Sequence, residues 1–131
     1  MNILFVCKYN RFRSKVAEVF FNFYNRNKKH KVKSRGTEPD YIPVAESVKK
    51  VLKEFGIKNI DKKPRKLSRK AITWADLIII TADNVDLDLK PKNKKILKWE
   101  ISDTSQSNVN GIKVRAKNIE KRIKKLVSVL G

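Results

Sequence analysis

With 131 residues, 40% of them hydrophobic and 34% charged, the chain has the length and balance of one compact soluble domain spanning 1–131. Its 32 Lys and Arg against 13 Asp and Glu give a formal net charge of +19, which attracts polyanions and acidic surfaces whatever the fold. One cysteine excludes an intramolecular disulfide and a cysteine-rich zinc site, and no apolar run approaches the roughly 20 residues that a membrane-spanning helix needs.

In chain order, Ile3 to Val6 is a short continuous apolar run, the pattern of a strand buried on both faces. From Lys15 to Asn27 the period becomes helical, with Val16, Phe20 and Phe23 on one stripe. The stretch HKVKSRGT reads as a strand ending in a turn at Gly36, and EPDYIP as a loop. Pro43 suits the first turn of a second helix whose apolar face is Val44, Val48, Val51, Leu52 and Phe55, with Gly56 as its stop. Ser68 is placed to cap a short helix carrying Ala71, Ile72 and Ala75. ADLIIITAD, centred on Leu77 to Ile80, is the clearest buried strand, and KKILKW is a shorter one. EISDTSQSNVNG is polar and turn-rich; a last helix follows, with Ile112, Ala116, Ile119, Ile123, Leu126 and Leu130 at steps of four and three.

Strands alternating with helices predict an α/β fold with a parallel sheet and helices on both faces. In such sheets ligands bind beyond the carboxyl ends of the strands, which is where CKYNRFRS runs from the first strand into the first helix. A helix N-terminus presents unpaired N–H groups and a partial positive charge, so it favours an anion such as phosphate. The same field stabilises a thiolate at Cys7. Arg13 can hold two phosphate oxygens as a fork, and the Ser14 hydroxyl can donate to the thiolate. The sum is a nucleophile inside an anion cradle, suited to attack on phosphorus. On spacing alone, a lone Cys at the end of a strand is more often a small buried hydrophobe, and the strand-then-helix context brings the two readings level.

VCKYNRFRS followed by AE resembles the signature V-C-x-x-N-x-x-R-S-x-x-A-E of the low-molecular-weight protein tyrosine phosphatases and their arsenate reductase relatives. Val6, Cys7, Asn10, Arg13, Ser14, Ala17 and Glu18 all match. KVKSRGTE, AESVKKVLKEFGI and ADLIIITADN are similar to the family's second strand and turn, its second helix, and its D-L-I-L-x-M-D-x-x-N segment. The resemblance implies a single three-layer domain with a four-stranded parallel sheet, and a reaction through a phosphocysteine. It implies Cys7 as nucleophile and Arg13 as phosphoryl binder, with Ser14 supporting the thiolate. It further implies that Asn10 is held by side-chain bonds, Ser34 among its partners. The cradle would run through Lys8, Tyr9, Asn10, Arg11, Phe12 and Arg13. The general acid of the family comes from an Asp-Pro pair in a late loop. Here that is Asp103, with Thr104 in place of the proline; a local turn is the plainer role for the same residue. Asp83, Asp86 and Asp88 are weaker candidates.

The departures are specific. The chain is shorter than typical members, between Asn84 and Glu100. The family's frequent second loop cysteine is Phe12, so no protective disulfide can form with Cys7. Lys8, Tyr9 and Arg11 make the loop unusually cationic and aromatic, either as rim decoration or as selection for a more anionic substrate. Ser105 and Gln106 replace aromatic residues that wall the phosphotyrosine slot; Tyr41, in the EPDYIP loop, is a candidate for the other wall, with plain loop packing as the equal alternative. Lys62 stands where the family often has histidine, and His30, among lysines, reads as solvated surface.

The leading expectation is therefore hydrolysis of phosphotyrosine or a similar aryl phosphate in a phosphorylated protein or small molecule, with inorganic phosphate as product or inhibitor. No cofactor or metal is implied. One alternative is arsenate reduction with an external thiol, since no cysteine follows Cys7. Another is a basic protein with a degenerate site that binds nucleic acid or a phosphoprotein, although no aromatic ribonucleoprotein motif or zinc pattern accompanies the lysines. A free thiol suits a reducing compartment, and the start MNILFVCKYNRFR lacks the basic n-region of a signal peptide. The expected location is the cytoplasm, with no membrane partner.

Overall fold

A computed structural model describes residues 1–87 and 94–131. Among the described residues, four strands form one parallel sheet in the order β2-β1-β3-β4. They are β1 (Asn2–Cys7), β2 (Lys31–Gly36), β3 (Leu77–Ile80) and β4 (Lys95–Lys98). The helices are α1 (Arg13–Tyr24), α2 (Glu46–Glu54), α3 (Arg69–Trp74) and α4 (Val109–Leu130). β1 pairs with β2 from Asn2↔Lys31 to Cys7↔Gly36, and with β3 from Ile3↔Leu77 to Val6↔Ile80. Being central, β1 is buried on both faces, which is why Ile3 to Val6 carries no polar residue.

Side chains alternate across the sheet. Ile3, Phe5, Leu77 and Ile79 pack with α1, α2 and α4 in the larger core. Leu4, Val6, Ile78 and Ile80 face the other way, against Ala71 and Ala75 of the α3 segment. Phe5, Phe20 and Phe21 are completely buried in the larger core, each stabilising the fold by roughly 1.5–3 kcal/mol. No helix of the described residues is long and apolar enough to cross a membrane.

Three boundaries differ from expectation. α1 begins at Arg13, not Lys15, and ends at Tyr24. α2 begins at Glu46 rather than near Pro43, after an extended Ala45; Val44 instead enters the core ahead of the helix, its N–H bonded to the Lys62 carbonyl at 3.1 Å. His30 is half-buried rather than solvated, its Nδ1 lying 3.2 Å from the Met1 amino group. Phe23, read as part of the apolar stripe of α1, is 44% exposed, while Val16 and Phe20 are buried; the capping signals act as read. Ser68 caps α3 by accepting from Ala71 N at 3.1 Å, and Gly56 ends α2 at φ +87°.

Candidate active site

Cys7 is the last residue of β1, and α1 starts six residues later. The intervening turn lies at the carboxyl edge of the sheet, stitched to the end of β2 by Thr37 N–H to Cys7 O (3.0 Å) and Glu38 N–H to Lys8 O (2.8 Å). The N-cap position of α1 is Phe12, whose side chain offers no acceptor, so the helix start has no side-chain cap. That leaves its N–H groups and its partial charge for an anion.

Cys7 is 2% exposed, and its sulfur sits among donors. Ser14 Oγ is 2.9 Å from Cys7 Sγ, and Asn10 N–H donates to the same sulfur at 3.3 Å. Asn10 Nδ2 donates to Ser14 Oγ at 2.7 Å, which directs the single Ser14 proton toward sulfur. Asn10 itself adopts φ +53°, a left-handed conformation unusual for a side chain-bearing residue. Its side chain compensates: Nδ2 also donates to Ser34 Oγ at 3.1 Å, and Oδ1 accepts Arg65 N–H at 2.8 Å. Ser34 Oγ in turn donates to Glu18 Oε1 at 3.1 Å. Burial pushes the Glu18 carboxyl up, against the downward pull of Lys15 and of the Ser34 bond.

Arg13 is 2% exposed and held from behind. Its Nη1 donates to the Ile101 carbonyl at 2.9 Å and to Asn84 Oδ1 at 3.1 Å. Asp83 lies 3.6 Å from Nη1, and Asp103 lies 3.8 Å from Nη2. A cleft of ≈ 300 Å³ opens here, lined by Cys7, Tyr9, Arg11, Phe12, Arg13 and Asp103, together with Asp40, Thr104, Ser105 and Gln106. Asp103 therefore shares the cleft with Cys7, whereas Asp83 does not line it. Asp86 pairs with Lys98 at 2.9 Å and is largely solvent-exposed; Asp88 lies outside the described residues.

Of the residues singled out in the sequence, Asn10, Ser14 and Ser34 form the buried support beneath the cleft. Lys8 is not in its lining. It leans over the Tyr9 ring (5.3 Å) and toward Glu38 (3.9 Å). Tyr41 does not wall the slot either: it is 60% exposed, and its neighbour Asp40 takes the place at the cleft. Sequence reasoning missed Asn84, the Ile101 carbonyl and the Arg65 amide. Two of these are main-chain atoms, which leave no mark in a motif.

Gly36 shows how tightly the turn is seated. A Cβ there would meet Lys8 O at 2.8 Å, Asn10 N at 2.9 Å and Tyr9 C at 2.9 Å, all backbone atoms that cannot rotate aside. Gly36→Ala is expected to displace the turn and loosen the Asn10 N–H from the sulfur. Hydrogen exchange at the Asn10 amide alongside circular dichroism will check this; unchanged exchange in a folded variant would mean the turn is looser than its contacts.

The sequence matches the family described as low molecular weight phosphotyrosine protein phosphatase over residues 2–131. Among solved structures, an arsenate reductase from Archaeoglobus fulgidus DSM 4304 is 31% identical with a TM-score of 0.78, over 96% of this chain and 98% of that one. A low molecular weight protein tyrosine phosphatase from T. tengcongensis is 25% identical with a TM-score of 0.83, over 98% of each chain. The YwlE arginine phosphatase from Geobacillus stearothermophilus, 23% identical with a TM-score of 0.85 over 98% of this chain and 92% of that one, shares the fold. No curated protein matches the sequence.

Proposed function

The chain belongs to the low molecular weight phosphotyrosine protein phosphatase family, and we propose that it hydrolyses phosphomonoesters of the phosphotyrosine or aryl phosphate type through a phosphocysteine on Cys7. The observation that carries this is the convergence at one cleft of a hydrogen-bonded thiol, a buried guanidinium and a carboxyl group: Cys7, Arg13 and Asp103.

In the first step the Cys7 thiolate attacks phosphorus. An S–P bond forms as the P–O bond to the leaving group breaks, and Asp103 gives its proton to the departing oxygen. In the second step the ionised Asp103 takes a proton from water, which attacks phosphorus and releases inorganic phosphate and the thiolate. Arg13 holds the phosphoryl oxygens through both steps, helped by the loop N–H groups and the start of α1. Ser14 and the Asn10 N–H stabilise the sulfur as it becomes the leaving group.

The test is turnover of a small aryl phosphate by the protein and by Cys7→Ser. An active protein with a dead variant supports the proposal. Two inactive proteins favour a basic binding protein with a degenerate site, for which the +19 charge is the supporting feature.

Arg13→Lys tests the second role. Lysine keeps the charge but not two parallel N–H bonds, and it also loses the Ile101 and Asn84 anchors. Turnover is expected to fall about 10²-fold, as when one preorganised donor to a transition state is removed. Near-normal kinetics and unchanged inhibition by phosphate would overturn the assignment.

A second reading is favoured by the 31% identity to an arsenate reductase. Arsenate is a tetrahedral oxyanion with the shape and charge of the phosphoryl group assigned above to this cleft. With Cys7 the sole cysteine, the electrons would have to come from an external thiol. Arsenate-dependent oxidation of a supplied thiol, absent in Cys7→Ser, separates this reading from hydrolysis.

A further inference from the structure

Lys15 is the residue after Ser14, and it is 1% exposed. A lysine ammonium is strongly hydrated, so burying one is costly unless a counter-charge meets it. Here the counter-charge is Asp61, whose Oδ2 lies 3.2 Å from Lys15 Nζ. Asp61 also accepts from Arg65 Nε at 3.0 Å through Oδ2 and from Lys63 N–H at 3.2 Å through Oδ1. Burial works against the Asp61 carboxylate, but the Lys63, Arg65 and Lys15 donors outweigh it and hold its pKa below the ordinary value. The carboxylate thus draws the 61–65 segment into a turn fixed to α1.

That segment ends at the active site. Arg65 N–H donates to Asn10 Oδ1 at 2.8 Å, and the Arg65 carbonyl accepts Gly36 N–H at 2.8 Å. Asn10 Oδ1 is the acceptor end of the side chain whose other end orders Ser14 and Ser34. Where Arg65 N–H stands therefore decides where the amide plane of Asn10 stands, and so where the Ser14 hydroxyl and the Asn10 N–H point relative to sulfur.

We propose that Lys15 and Asp61 form a clasp that positions Asn10, through the Arg65 amide, for catalysis at Cys7. Neither residue lines the cleft; both are positioning residues. The pair is mixed in exposure, Lys15 buried and Asp61 43% exposed. Removing the lysine charge therefore leaves a carboxylate that water, Arg65 and the Lys63 N–H still stabilise, whereas removing the carboxylate leaves a buried cation with only the more distant Glu18 to offset it. Lys15→Met, which keeps length and apolar volume, is the variant that should stay folded.

The kinetic consequence rests on Cys7 being the nucleophile, as proposed above; the structural consequence does not. In Lys15→Met, hydrogen exchange at the Arg65 amide should accelerate about 10-fold or more while the β1 amides of Leu4 and Phe5 stay protected. With an aryl phosphate, kcat should fall about 10-fold with KM within about 2-fold, the pattern of lost transition-state stabilisation. Lys15→Arg, which retains a donor to Asp61, should recover most of the loss. Introduced into an Asn10→Ala background, Lys15→Met should lower kcat no further, because the group it positions is gone. Unchanged exchange at Arg65 overturns the clasp whether or not the protein turns over substrate. Accelerated exchange with unchanged kcat in an active enzyme, or an equal kcat loss in the Asn10→Ala background, overturns the positioning role alone. An inactive wild type with accelerated Arg65 exchange retains the clasp and removes the phosphatase proposal.

Discussion

Replacing Cys7 by serine is expected to abolish turnover, with a loss on the order of 10⁶-fold, as for removal of an active-site nucleophile elsewhere. The reason is electronic, not steric. A thiol has an accessible thiolate at neutral pH, whereas a serine hydroxyl needs a general base to become nucleophilic. Among the described residues, neither group hydrogen-bonded to this position is a base: Ser14 Oγ at 2.9 Å and Asn10 N–H at 3.3 Å are both oriented to donate to it. The substitution is nearly isosteric in a residue 2% exposed, so the fold and the phosphate site should survive. Inhibitor-level phosphate should therefore still bind Cys7→Ser. For the wild type, brief reaction followed by acid quench should leave phosphate on Cys7, located by peptide mapping. Phosphate recovered on another residue, or turnover retained in Cys7→Ala, would remove Cys7 from the mechanism.

What the sequence displays and what it conceals divide along physical lines. Ile3–Val6 and Leu77–Ile80 are legible because both faces of an interior parallel strand are buried, so every letter is apolar. β4 is a weaker signal because among the described residues it pairs only with β3 and is nowhere fully buried, and KILK accordingly mixes charges with apolar residues. The α2 boundary slipped by three residues because Pro43 is as compatible with extended chain as with a first helical turn, and a tertiary bond from Val44 N–H decided between them. Cys7, Asn10, Arg13 and Ser14 are visible together because one turn carries them all. Their supports come from 55 to 88 residues away, through Arg65 N, Asn84 Oδ1 and Ile101 O. No local pattern encodes such contacts. Lys15 is the sharpest case: by composition it is one of 32 basic residues, and only its burial separates it from the solvated ones.

Asp103→Asn is expected to slow hydrolysis of phenyl or alkyl phosphates by roughly 10²–10⁴-fold, the usual contribution of a general acid. A thiolate can attack phosphorus unaided, but a poorly acidic leaving group needs a proton as its bond breaks. The amide cannot supply one, nor can it activate water against the phosphocysteine. The rest of the local structure should tolerate the change. Asparagine keeps the oxygen that accepts Thr104 N–H at 2.9 Å, and the loop is fastened independently on both sides. Arg115 Nε donates to the Ser102 carbonyl at 2.7 Å, and Ser47 Oγ donates to the Gln106 carbonyl at 2.7 Å. These ties hold the loop where the family's proline would otherwise stiffen it, and they keep residue 103 at the cleft. The discriminating measurement is the leaving-group dependence of the phosphorylation step. For the wild type it should be shallow, because protonation cancels the charge developing on the leaving oxygen. For Asp103→Asn it should be steep, so that a nitrophenyl phosphate loses far less than phenyl phosphate. A uniform loss across leaving groups would instead indicate that Asp103 serves Arg13, 3.8 Å away, as a counter-charge. If neither the rate nor the slope changes, the proton comes from elsewhere. Asp83, outside the cleft lining but beside Arg13 at 3.6 Å, is then the next carboxylate to test, and a steep dependence in Asp83→Asn would identify it as the acid.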